Sequence, residues 1–224
     1  MSRDNLMLQI HQVQDELLLM GSMVEQATIK SVESLRKRDS LAAKNIYHAD
    51  RLVNEKRYAI ENSVLILIAT QQPLAHDLRL LAALLEIAAE IERMGDYAKG
   101  IAKVVINLED IEIPIPFREI EEMASLAVNM FHRALGAFVI EDAVTAKKIP
   151  AEDDRVDDLY NLVQRHIIQV MIDKPQIIDH ANLLMWVAHN LERMADRVSN
   201  ICERTIFVAT GELLEIESKK KEIL

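Results

Sequence analysis

Hydrophobic side chains recur every three or four residues along most of the chain. This spacing places them on one face of an α-helix, where they can form a core, and leaves polar side chains on the opposite face. Prolines and short polar segments interrupt the pattern at a few points. The pattern predicts six long helices, at residues 5–37, 40–68, 74–108, 117–140, 142–172 and 175–224, with Gly211 expected to end the regular packing of the last.

Polar residues and prolines mark where these helices begin and end. Asp39 or Ser40 can cap the second helix by accepting a backbone N–H at its start. Pro73 and Pro175 end the second and fifth helices, because proline lacks a backbone donor and restricts the residue before it. Pro150 lies inside the predicted fifth helix, and it either kinks that helix or marks its true start.

The second half of the chain repeats the first. Residues 87–103 and 187–203 match at an offset of 100 positions, and the residues that recur are Ala88, Glu92, Arg93, Met94, Asp96 and Ile101. Three long helices with short connections form an up-down-up bundle. The chain is therefore predicted to be all-α, with two tandem, duplicated three-helix bundles in series. Two prolines interrupt the pattern near its middle, which places the first bundle at 1–110, a linker at 111–116 and the second bundle at 117–224.

Composition supports the helical prediction. Half of the 224 residues are hydrophobic, only 4% are aromatic, and the chain has five glycines and five prolines. Strands would need more β-branched and aromatic residues, and their turns more glycine and proline. The core is expected to be aliphatic.

Charge and hydropathy exclude several classes of partner. A net charge of −10 argues against nucleic-acid binding and against attraction to an anionic membrane surface. Apolar runs such as residues 64–69 are too short to span a bilayer, and the N-terminus has no apolar leader, so we expect a cytoplasmic protein without direct membrane insertion. A single cysteine, Cys202, is expected to be a buried, inert thiol.

Two pairs of acids occupy the same place in the repeat. Glu92 and Asp96 are four residues apart on one predicted helix, and Glu192 and Asp196 repeat the arrangement. Neighbouring like charges on a helix repel by roughly 0.2–0.5 kcal/mol. One explanation for them is a solvated ion-pair network with nearby bases, namely Arg93, Arg193 or Lys99. The other is a bound cation, because paired carboxylates supply the oxygen ligands that metals use.

A second set of acids lies on the predicted second and fifth helices. Aligned by their apolar positions, these helices carry Asp50 with Asn54 and Asp153 with Asp157. Each of these pairs is separated from the following proline turn by about as many residues as the turn is from the next acid pair. Because neighbouring helices in such a bundle are antiparallel, the two pairs of each half should lie at a similar height along the bundle. The sequence thus predicts one metal site in each half, at Asp50, Asn54, Glu92 and Asp96 and at Asp153, Asp157, Glu192 and Asp196.

This metal prediction has a simpler rival. Acids are common on solvent faces and at helix starts, so some pairs align by chance. Asn54 adds no charge, and the first site is expected to be the weaker. His48 and His189 lie near the acid pairs but are more typical of surface or core groups. No phosphate loop and no Ser/His/Asp arrangement at a recognisable spacing is present, so an enzyme is not indicated.

The chain carries QQPLAHDLR at 71–79, ERMGD at 92–96 and LERMAD at 191–196, with Asp50-x-x-Val53-Asn54 and Asp153-x-x-Val156-Asp157. With these stretches the chain resembles the PhoU family over nearly its whole length. The resemblance implies a negative regulator of inorganic phosphate uptake and of phosphate-starvation signalling. Its expected partners are the ATPase subunit of a phosphate ABC transporter and a sensor histidine kinase, and a homodimer is also expected, with Met7, Met20 and Met23 available for a dimer face.

The resemblance also implies a metal. Some members of that family hold iron or zinc, in multinuclear clusters, through paired acidic motifs that correspond to the eight residues of the two predicted sites. Two other functions compete with the regulator. One is a carboxylate-bridged metalloenzyme, and the other is a metal-free helical adaptor.

Overall fold

The computed structural model describes residues 3–108 and 114–216, and helices account for nearly all of them. Within these ranges there is no strand, and the predictions of an all-α fold and of six long helices are confirmed. The helices are α1 (Arg3–Lys37), α2 (Ser40–Gln71), α3 (His76–Asn107), α4 (Phe117–Val139), the one-turn α5 (Ala143–Ala146), α6 (Asp153–Asp173) and α7 (Ile178–Thr210).

Most helix ends follow the sequence signals. The Asp39 carboxylate accepts the N–H of Ala42 at 2.9 Å and caps α2. Gln72 adopts a left-handed conformation with φ 49°, and Pro73 follows it, so α2 cannot continue. At the other end of the chain α7 stops at Thr210, because Gly211 takes φ 80°.

The predicted fifth helix begins later than expected. After α4 the chain forms α5 and then a 3-10 turn, Ile149–Glu152, and only at Asp153 does α6 begin. Pro150 lies in the first part of that turn, where its missing N–H costs nothing. Pro150 therefore marks the approach to the true start of the helix and does not kink it.

The long helices form two three-helix bundles. The first contains α1, α2 and α3, and the second contains α4, α6 and α7, with α5 against α7. The apolar positions of the repeated stretch lie inside, and Ile87, Ile91 and Met94 are fully buried like their counterparts Val187 and Leu191. Residues 111–113 of the predicted linker lie outside the described ranges.

The two bundles lie side by side and share one continuous core. Helix α3 packs along α7, and α1 packs on α4. At the second contact, a β-carbon on Gly21 would collide with Leu135 of α4, so glycine allows the two helices to approach closely. Met20, a candidate for a dimer face, is fully buried in this core.

A buried acid joins α3 to α7. Glu90 is only 8% exposed, and its carboxylate accepts hydrogen bonds from Arg197 at 3.4 Å and from Asn200 at 3.0 Å. Arg197 also donates to the hydroxyl of Tyr97 at 3.3 Å. These hydrogen bonds connect α3 of the first bundle to α7 of the second.

The expectations for the cysteine and for membrane spanning can be compared with the structure. Cys202 is fully buried, and burial raises the pKa of its thiol to about 12, so the thiol stays protonated and inert as predicted. None of the described helices combines the length and the apolar character that crossing a bilayer needs.

Candidate functional site

The first acidic cluster, Asp50, Asn54, Glu92 and Asp96, lies between α2 and α3. Asp50 is buried at 7% exposure, and its Oδ2 accepts hydrogen bonds from Lys99 Nζ at 2.7 Å and from Asn54 Nδ2 at 3.3 Å. The same ammonium lies 3.7 Å from Asp96 Oδ1. Lys99 thus bridges carboxylates on two helices, which places the acids of α2 and α3 at the same height.

The remaining acid of this cluster also has a cationic partner. Arg57 Nη1 lies 3.3 Å from Glu92 Oε2, and Arg57 Nε donates to Glu61 at 2.9 Å. Burial raises the pKa of Glu92 above its ordinary value, while the charge of Arg57 opposes that shift. The nearby charges of Asp96 and Asp50 raise the pKa of Glu92 further.

Lys99 is held in place as an ammonium. Its hydrogen bond to Asp50 raises its pKa, partly offset by burial, and the charges of Asp50 and Asp96 raise it further. The ammonium also lies 5.5 Å from the centroid of the Tyr47 ring, within the range of a cation–π contact.

A close approach of α3 to its neighbours shapes this site. A β-carbon at Gly95 would lie in ordinary van der Waals contact, 3.4 Å from Val24 and Val53 and 3.6 Å from Asp50 Oδ1, so α3 packs directly against α1 and α2 here. A cavity of about 520 Å³ adjoins the cluster between α1 and α2, and Asp50 and Lys99 are among the residues that line it.

The second acidic cluster, Asp153, Asp157, Glu192 and Asp196, lies between α6 and α7. Asp153 is the first residue of α6 and is only 3% exposed. Its Oδ1 is buried and accepts no hydrogen bond from the part of the chain that the structure describes. Burial raises the pKa of Asp153 to about 7, and the negative charges of the other three members of the cluster add to the shift. The other three predicted residues are therefore close enough to Asp153 to repel its charged form.

Two basic side chains lie close to acids of this cluster. Arg193 Nη1 lies 2.7 Å from Asp196 Oδ2. His189 Nδ1 lies 3.6 Å from Glu192 Oε2, and the His189 ring meets Trp186 edge-on at 5.7 Å. Position 199, which corresponds to Lys99 in the repeat, is a serine and carries no charge.

The two clusters differ in how well they fit a metal ion. Among the described residues, no three acid, histidine or cysteine side chains converge on one point as they stand, so a metal would require the carboxylates to rotate. Mutually repelling carboxylates are expected to point apart. The second acidic cluster fits a cation, because Asp153 Oδ1 is buried without a hydrogen bond among three other acids. The first acidic cluster does not fit one, because Lys99 already lies between its carboxylates.

The ion-pair explanation from the sequence therefore describes the first half well. Lys99 pairs with Asp50 and Asp96, whereas Arg93 pairs with Glu90. Arg57, the partner of Glu92, was missed by the sequence analysis. It lies on α2, and only the packing of α2 on α3 brings it there.

Comparison with known proteins decides the family. The model of the PhoU domain matches this chain twice, over residues 17–105 and 120–205. The chain belongs to the PhoU family. The two matches coincide with the two bundles, and the resemblance seen in the sequence is confirmed.

Relatives of this PhoU-family chain cover nearly its whole length. It is 31% identical over 214 residues to the phosphate-specific transport system accessory protein PhoU homolog of Streptococcus pneumoniae serotype 4, covering 96% of this chain and 99% of the relative. It is 29% identical to the phosphate-specific transport system accessory protein PhoU of Escherichia coli K12, covering 91% of this chain and 85% of the relative.

Two crystal structures of PhoU proteins share the fold. The phosphate transport system regulatory protein PhoU of Streptococcus pneumoniae superposes with a TM-score of 0.87 at 30% identity, over 93% of this chain and 99% of the other. PhoU from Pseudomonas aeruginosa gives 0.86 at 30% identity, over 92% and 99%.

Proposed function

We propose that this chain is a negative regulator of inorganic phosphate uptake and of phosphate-starvation signalling. The observation that carries the proposal is the PhoU match in both bundles, with relatives named as accessory or regulatory proteins of the phosphate transport system. Those names favour a regulator over a metalloenzyme. The chain would act in the cytoplasm by protein contact, without catalysing a reaction.

Two partners follow from this role. The chain would bind the ATPase subunit of the phosphate ABC transporter and the sensor histidine kinase that responds to phosphate. If it binds the inactive state of the kinase more tightly than the active state, it shifts the kinase population toward signalling-off. The net charge of −10 suits a partner with a basic docking face. A homodimer would present two acidic surfaces of this chain at once.

The second acidic cluster would hold iron or zinc. Its four carboxylates, Asp153, Asp157, Glu192 and Asp196, come from α6 and α7, and the buried oxygen of Asp153 lacks another partner. A bound cation would neutralise their repulsion and tie the two helices together. In this role the metal shapes the surface that a partner meets, and a metal-free adaptor is the alternative.

A reconstituted system tests the regulatory proposal. Vesicles would contain the phosphate transporter and the histidine kinase, and the protein would be added from the nucleotide side at high phosphate. Kinase autophosphorylation is expected to fall as protein is added, because binding favours the inactive state. Vesicles with the kinase alone are the control and should respond less. Autophosphorylation that is unchanged in both preparations would contradict the proposal.

A further inference from the structure

The duplication makes one difference between the two acidic clusters easy to see. Lys99 follows Asp96 by three residues, and Ser199 follows Asp196 by three residues in the repeat. The Lys99 ammonium lies 2.7 Å from Asp50 and 3.7 Å from Asp96. The neutral hydroxyl of Ser199 cannot replace it.

A second substitution changes the charge in the same direction. Asn54 in the first acidic cluster corresponds to Asp157 in the second, so the first cluster has one carboxylate fewer. Asn54 donates to the same oxygen of Asp50 that Lys99 contacts. At these two positions the first cluster carries an amide and an ammonium where the second carries a carboxylate and a hydroxyl, and both differences weaken its attraction for a cation.

The position of the ammonium matters as much as its charge. It lies between a carboxylate of α2 and a carboxylate of α3, which is where a metal that joined the two helices would need to bind. Asp50 has a side chain only 5% exposed, and that of Lys99 is 30% exposed, so water screens this pair poorly. An ammonium and a divalent cation at this place would repel each other strongly.

We propose that Lys99 is a permanent, built-in counter-ion that takes the place of metal in the first acidic cluster, so that the chain binds metal only in its second half. This inference rests on the proposed function for the metal capacity of the second acidic cluster. In the first half, the ion pairs of Lys99 then hold α2 and α3 together at any metal concentration. Only the second half then responds to metal supply.

Exchanging the distinguishing residues between the clusters tests this assignment. Lys99→Ser with Asn54→Asp gives the first cluster the residues of the second at these positions, and Ser199→Lys with Asp157→Asn makes the reverse exchange. Each protein would be incubated with zinc, dialysed and subjected to elemental analysis, beside wild type, Glu192→Ala/Asp196→Ala and Glu92→Ala/Asp96→Ala. Lys103→Ser, on an exposed position of α3, is the matched control.

Wild type and Glu92→Ala/Asp96→Ala are expected to retain zinc after dialysis. Glu192→Ala/Asp196→Ala is expected to lose it. The first exchange should roughly double the bound zinc, because it completes a second oxygen-rich site. The reverse exchange should abolish binding. Zinc that depends on Glu92 and Asp96 in wild type, or a first exchange that gains none, would overturn the assignment.

Thermal unfolding in a chelator separates this inference from the proposed metal function. Without metal, Lys99→Ser should lower the Tm by roughly 3–8 °C, because it leaves buried Asp50 without its charged donor, and Lys103→Ser should not. If wild type holds no zinc, the proposed metal function fails, and a lowered Tm still supports Lys99 as the counter-ion. A Tm unchanged by Lys99→Ser would overturn the counter-ion role whatever the metal result.

Discussion

Asp153→Asn is expected to stabilise the metal-free protein at neutral pH by roughly 4 kcal/mol, the free-energy equivalent of the pKa difference between about 7 in the fold and 3.8 in the unfolded chain. Burial disfavours the charged form of Asp153, and the neighbouring acids add to the effect. An amide of the same shape carries no charge. It therefore avoids the cost of ionising at this buried position.

The sign of the pH dependence follows from the raised pKa. Between about pH 4 and pH 7 the unfolded carboxyl is ionised while the folded one keeps its proton, so the folded state binds more protons. The stability that Asp153 contributes is present below pH 4 and is lost as the pH rises to about 7. Above pH 7 the loss is complete and the contribution stays constant.

Urea unfolding in a chelator at several pH values between 4 and 8 measures this effect. The advantage of Asp153→Asn over wild type should grow across that range and level off near pH 7. Asp154→Asn is the matched control, because Asp154 is the next residue and is exposed, and it should change stability by less than about 0.5 kcal/mol. An Asp153→Asn variant with the same pH profile as wild type would show that Asp153 ionises normally in the fold.

Glu90→Ala is expected to destabilise the protein by about 3 kcal/mol, because it leaves Arg197 and Asn200 at the junction of α3 and α7 without their acceptor. Breaking a buried ion pair costs more than breaking an exposed one, since the remaining charge loses its partner without regaining full hydration. The junction also carries the contact between the two halves.

Glu86→Ala provides a control on the same helix. Glu86 pairs with Arg204 at 3.0 Å across the same junction, but its side chain is 54% exposed, and the loss should stay below about 1 kcal/mol. Chemical unfolding followed by circular dichroism compares both variants with wild type. Equal losses for the two variants would mean that the burial of Glu90 does not set its contribution.

The sequence predicted the helices well because their physical causes are local. Apolar spacing defined each helix, and Asp39 and Pro73 fixed the ends of α2 through a side-chain acceptor and a missing donor. The start of α6 was left open between residue 142 and Pro150, and the structure places it at Asp153. The stretch that forms α5 and the 3-10 turn is too short for periodicity to distinguish it from one long helix, and Pro150 was the only warning.

The contact between the bundles could not be predicted in this way. Glu90 looked like any acid on a polar helix face, and only the packing of α3 on α7 shows that it is buried against Arg197. The bundles were predicted in series, whereas the core runs through both of them. Such contacts depend on tertiary geometry, which a helical period does not encode.

The candidate site was predicted in part. The structure brings the acids of α2 and α3 together, and likewise those of α6 and α7, as their heights along the bundles suggested. The sequence offered Lys99 as one of several ion-pair partners, but it could not show that its ammonium bridges two helices. The difference between Lys99 and Ser199 can be read from the repeat. The distances from Lys99 to Asp50 and Asp96 are needed to show that its ammonium lies between two carboxylates. Metal binding at the second acidic cluster stays a prediction.

Phosphate uptake in living cells tests the regulatory role most directly. The measurement uses a bacterial strain that lacks its own PhoU gene, grown in phosphate-rich medium, with and without this chain. Expression of the chain should lower radiolabelled phosphate uptake by the high-affinity transporter toward that of the parent strain. Uptake that stays at the level of the deletion strain, while the chain accumulates as folded protein, would contradict the account.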